Sequence, residues 1–162
     1  MRRRWPQITT IVLGVLVVAL VVATGVLGAR TWQGKNDADE RAKATQAARQ
    51  MGVNLMSLNY ETAQKDLDRI VAGTTGELKN KLSTQSKQLL DQLSKTQAKS
   101  SVDQVEAGVV SIDDDSAEVM VSLNGTVTNP KVKDGAARAY RYLMDLTRVD
   151  DRWLVSELEV VP

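Results

Sequence analysis

Hydrophobic and polar positions along the chain follow three rhythms in succession. Residues 8–29, ITTIVLGVLVVALVVATGVLGA, contain no charged position. From Ala44 the apolar residues recur at helical spacing, with Ala44, Ala48, Met51, Leu55 and Leu58 on one stripe. Past Ser101 the period falls to two. Ala117, Val119, Val121 and Leu123 alternate with Glu118, Ser122 and Asn124, as in a strand buried on one face. A span, a helical stretch and a run of strands follow one another.

The uncharged run, as a helix, reaches roughly 33 Å, enough to cross a hydrocarbon core of about 30 Å. Arg2, Arg3 and Arg4 precede it, and Trp5 and Trp32 stand just outside its two ends, where indoles favour the headgroup level. A cleaved signal peptide has a shorter apolar region and a small-x-small cleavage site. Leu27-Gly28-Ala29 matches that site poorly. The expected layout is a cytoplasmic N-terminus at 1–7, a transmembrane helix at 8–29, an exit linker at 30–36 and an extracytoplasmic domain at 37–162. The arginines hold the N-terminus in the cytoplasm of a plasma-membrane protein.

Within the external part, Asp37 is placed to cap a first helix, with Glu40 in the capping-box position. The stretch SLNYET (57–62) breaks the helical pattern, and Asn59 or Thr62 starts a second helix. Its buried face is Ala63, Leu67, Ile70 and Val71, while Asp66, Asp68 and Arg69 point elsewhere. Gly73 follows as a left-handed C-cap. Thr74 and Glu77 form a second capping box, with Thr75 as the alternative cap. Leu78, Leu82, Leu89 and Leu93 then line a third helix ending near 95–98.

AGTTGELKNK (72–81) also has to be weighed as a phosphate loop. That loop needs G-x-x-x-x-G-K-[ST] after a strand. Here the glycines are too close, the lysine comes late and a helix precedes, so the segment reads as a corner between helices.

Four strands follow. The first is Val102–Ile112, then a turn at Asp113–Ser116, and a second over 117–129. A longer turn, PKVKDGA (130–136), leads to a third strand over 138–149. There Tyr140, Tyr142, Met144 and Leu146 oppose Arg141, Asp145 and Thr147. Asp150–Arg152 turns into a fourth strand, with Leu154, Leu158 and Val160 on one face and Val155, Glu157 and Glu159 on the other. Helices followed by strands argue for an α+β domain, three helices packed on a curved four-stranded antiparallel sheet, the order of NTF2-like and cystatin-like cones.

Composition narrows the chemistry. The 162 residues hold 21 basic and 20 acidic side chains, which gives no basic surplus for nucleic acid. There is no cysteine and no histidine, which excludes Cys/His zinc sites and histidine-activated nucleophiles. Asp113-Asp114-Asp115 lacks the glycine and glutamate of a calcium loop and reads as a hairpin turn. Asp145 lies on the opposite strand face from Tyr140 and Tyr142, so an acid/base pair between them is not expected. Asn124-Gly125-Thr126 is a formal glycosylation sequon on an exposed strand position. Trp153 is expected in the core. No enzyme activity, cofactor or metal is expected.

LNYETAQKDLDRIVAGTTGELKNKL, VVSIDDDSAEVMVSLNGTVTN and YRYLMDLTRVDDRWLVSELEVVP, behind a basic N-terminus and one span, resemble the Mce-associated membrane proteins of actinobacteria, including the orphan members. The TTGE corner and TRVDDRWLVSELE carry most of the likeness. The family's motif positions fall on Tyr60, Asp66, Leu67, Thr75, Gly76, Glu77, Arg141 and Trp153 as structural residues. The family carries glycine near Asp151, a departure that bears on turn type. The resemblance implies a non-enzymatic accessory subunit that stabilises or assembles an Mce-type lipid-import complex, with other Mce-complex envelope proteins as partners. The alternatives are an assembly factor of a type IV secretion-like channel and a small-molecule binder using the cone's cavity. The alanine-rich stripe of the first external helix offers a seam for self-association.

Overall fold

The computed structural model describes residues 37–162. The predicted span at 8–29, its flanking Arg2, Arg3, Arg4, Trp5 and Trp32, and the exit linker lie outside the described residues. Among those that are described, no helix is long and apolar enough to cross a membrane.

Three helices precede four strands. Helix α1 covers residues 37–56, α2 is Ala63–Ala72 and α3 is Gly76–Thr96. The strands are β1 (Lys99–Ile112), β2 (Ser116–Asn129), β3 (Val132–Val149) and β4 (Arg152–Val161). They form one antiparallel sheet in the order β1-β2-β3-β4, as the α+β reading requires. Residues 41–162 form one compact unit.

The inner face of the sheet and the helix stripe meet in a single core. Val119, Val121, Leu123, Met144, Leu146, Trp153 and Val155 pack with Ala44, Ala48, Met51 and Ile70. Small residues on α1 let it lie close to β2. A Cβ at Gly52 would sit 3.0 Å from Val121 and 3.2 Å from Leu123, so the helix propensity lost to glycine is the condition of that approach. Ala44 and Ala48 are fully buried in this core. The stripe expected as a seam for a second copy therefore belongs to the domain's own interior.

Several local expectations need correction. Asp37 is already helical, so it is not the residue that caps α1. Gly73 has φ −91°, not a left-handed conformation, because its carbonyl and the N–H of Thr75 both bond Val155 of β4. Thr75, not Thr74, occupies the N-cap of α3. Thr74 is buried instead, and its hydroxyl donates to the Val71 carbonyl at 2.9 Å. Glu77 is exposed, 3.8 Å from Lys81, and closes no capping box.

β3 begins at Val132, well before the expected start. The PKVKDGA turn shrinks to Pro130 and Lys131, because the Asn129 carboxamide oxygen accepts from the N–H groups of both Lys131 and Val132.

In β1, Val102, Val105, Ala107, Val109 and Ile112 all pair with inward residues of β2 although their spacing is irregular. Register shifts after Val102 and after Val109 restore the phase. β4 has one such shift, between its pairings with Asp145 and Leu146. It brings Val155 onto the same face as Leu158 and Val160, and moves Leu154 to the other. The strict alternation expected for β4 is thus broken at Ser156.

Asp150 and Asp151 both have positive φ, 48° and 60°. This is the backbone of a type I′ hairpin, which the glycine of the resembling family would adopt with less strain.

Candidate functional site

The concave side of the sheet faces the helices. It is filled by the apolar cluster described above. Tyr140 and Tyr142 stack with ring centroids 6.0 Å apart. Asp145 is exposed on the opposite face, so carboxylate and phenols do not converge. Burial pushes the Tyr142 phenol above its ordinary 10.0, with the Tyr140 charge adding to the shift. Among the described residues no group of three acidic side chains is placed to hold a metal ion.

Polar order concentrates instead where the helices turn. Asp66, expected to point outward, is 4% exposed. One carboxylate oxygen accepts from the Asn59 N–H at 3.1 Å and from the Thr62 hydroxyl at 2.8 Å. The other accepts from the Arg69 guanidinium. Burying a carboxylate is costly unless such donors answer it. This clasp fixes the loop between α1 and α2. A hidden acid was missed because helical periodicity reports which face a residue is on, not what the preceding loop folds over. The readable signal is a threonine four residues before the acid and an asparagine seven before it.

The same loop is pinned to the start of β1. The Tyr60 N–H donates to the Ala98 carbonyl and the Ser100 N–H to the Leu58 carbonyl. Lys99 sits 5.3 Å from the Tyr60 ring centroid and 2.9 Å from Glu61. The hydrogen bond from Lys99 lowers the Glu61 pKa, and the same bond raises that of Lys99.

The motif positions divide by task. Leu67 and Trp153 are core, 6% and 5% exposed. Thr75 docks the α2–α3 corner on β4, its N–H donating to the Val155 carbonyl beside a parallel bridge of Thr74 with Val155, and Gly76 follows at φ +58°. Arg141 is exposed and donates to the Pro162 carbonyl at 3.0 Å. The structure brings Asp66 together with the loop before it. It does not bring Arg141 or Glu77 to that site. Open grooves lie elsewhere among the described residues. One of 660 Å³ runs between α1 and the β3–β4 hairpin, beside Ala47, Gln50 and Trp153.

A family model described as "Uncharacterized protein Rv1363c/MT1408-like" matches residues 8–162. Uncharacterized protein Rv1363c of Mycobacterium tuberculosis (strain ATCC 25618 / H37Rv) is 27% identical over 166 residues, covering 100% of this chain. The chain spans 63% of that relative's length. Among solved structures, an IcmL-like type IV secretion system protein from Legionella pneumophila subsp. pneumophila str. Philadelphia 1 aligns with a TM-score of 0.60 at 12% identity, over 75% of this chain and 92% of its own. An "Ntf2 like protein involved in plasmid conjugation" aligns at 0.53 and 15% identity, over 75% of this chain and 48% of its own. At these identities the likeness is one of fold, and the fold is NTF2-like.

Proposed function

The chain belongs to the Rv1363c/MT1408-like family, and from that premise we propose that its folded domain is a non-enzymatic scaffold that docks on other proteins of a cell-envelope assembly. Residues 8–29 tether it to the plasma membrane, with the N-terminus cytoplasmic and the domain outside. The observation that carries this reading is the filled concave side. Where an enzyme of this shape would need a cavity with converging polar groups, the chain has Val121, Leu123, Met144 and Leu146 in one core cluster with Ala44, Ala48 and Met51 of α1.

The fold shared with secretion and conjugation proteins supports a secretion-type channel as the class of assembly. A second reading, an Mce-type lipid-import complex, rests on the sequence resemblance of the TTGE corner and the closing strand pair.

Extraction of the full chain from membranes in mild detergent, followed by identification of what accompanies it, separates the two. Secretion or conjugation components are the expected companions. Lipid-import proteins alone would shift the assignment to the second reading. Release of the domain into the cytosol, or turnover of a small compound by the purified chain, would overturn both.

A further inference from the structure

Unpaired charges of opposite sign sit on two different sides of this domain. On the outer face of the sheet, the register sets Glu118 beside Asp145 and Asp145 beside Glu157, one carboxylate from each of three adjacent strands. Like charges directly opposite destabilise a sheet. Among the described residues none of the three has a cationic partner. Arg141, on the same face, turns its guanidinium to the Pro162 carbonyl.

The next row holds Met120 against Leu143. Both are only half-exposed, so the carboxylates border an apolar strip. The other side of the domain carries α3, a 21-residue helix without one buried residue. Lys79, Lys87 and Lys95 are exposed on it, with Asp91 between the last two, and among the described residues none of the three lysines is in an ion pair. Leu78 and Leu82 turn the opposite side of α3 toward the core.

We propose that these two faces bind each other between copies, α3 of one chain lying across the outer sheet face of the next. Charge complementarity selects the second copy as occupant: α3, with Lys79, Lys81, Lys87 and Lys95 against Glu77 and Asp91, is net basic and answers the carboxylate row, and within one chain the sheet and its core lie between them. Because the two surfaces differ, the contact is head-to-tail, and it propagates into a row or ring rather than closing as a two-fold dimer. The alanine stripe of α1 takes no part.

The chain has no cysteine, so engineered thiols report without background. Full-length Gln88→Cys and Ser122→Cys proteins, mixed in detergent and treated with a short bismaleimide, should cross-link to each other, while each alone gives little product. A chain carrying both substitutions should give a ladder. Salt at about 0.5 M, where the screening length falls below roughly 5 Å, should suppress the product.

Lys87→Glu with Lys95→Glu should lower the yield by about three- to tenfold, as loss of two exposed ion pairs implies. Adding Glu118→Lys with Glu157→Lys in the partner should restore it. Circular dichroism checks that each variant is folded. Equal product from either single variant alone, salt-insensitive product, or none at all would overturn the proposal. So would capture of a different protein by Ser122→Cys in membranes.

Discussion

A carboxylate with 4% of its surface exposed is stable only if its lone pairs are answered, and Asp66 has three donors around it. Asp66→Asn replaces one acceptor oxygen with a donor that faces donors. Loss of about 1–3 kcal/mol is expected, a fall in Tm of roughly 5–10 °C by thermal circular dichroism. Asp68→Asn, on an exposed acid bonded only to Gln64, should stay within about 0.5 kcal/mol. The two aspartates are two residues apart and helical periodicity does not separate them; only Asp66 has Thr62 four residues and Asn59 seven residues before it. The loop folded over one of them does separate them.

Tyr142 supplies a pH signature at the same scale. Its folded pKa is raised above 10.0 by burial, so the unfolded phenol ionises first. The stability it contributes is complete below pH 10 and is lost as pH rises through the folded value. In urea titrations at rising pH, Tyr142→Phe should flatten the alkaline decline and leave neutral-pH stability almost unchanged. Trp153, by contrast, was legible as core from its neighbours alone.

At the level of elements, the helical stripes and strand alternation were readable because burial on one face imposes a period. The exceptions are where another element intrudes. The register shift near Ser156 changes the phase of β4, and Val155 gains the bonds that pull Gly73 and Thr75 onto it. Single-strand periodicity cannot register an insertion whose compensation lies on the neighbouring strand.

Helix α3 shows the converse. Its leucine stripe looks as good as that of α2, yet Leu89 is 37% exposed while Leu67 is 6% exposed. Leu67→Ala should therefore cost about 2–4 kcal/mol and Leu89→Ala less than about 0.5 kcal/mol in urea unfolding. If Leu89 proved as costly, the outer half of α3 would have to be packed.

For the whole molecule, the central strands carry the core residues, and the last turns of α3 carry none. Hydrogen exchange should find the slowest amides at Val119–Leu123 and Met144–Leu146, opening only with global unfolding. At about 0.5 M salt, where copies are held apart, those of α3 beyond Gln88 should exchange by local opening orders of magnitude faster. Uniform protection along α3 would contradict this ordering and would point to a covered helix.

The sequence alone determined the order and type of elements, the α+β class, the tight turns and the absence of cysteine and histidine chemistry, because each follows from local period or composition. Tertiary structure decided which acid is buried, where the strands slip phase, that the alanine stripe is interior and that the concave side is filled. Those outcomes depend on what one segment meets on another, and that meeting is written in no single stretch of the chain.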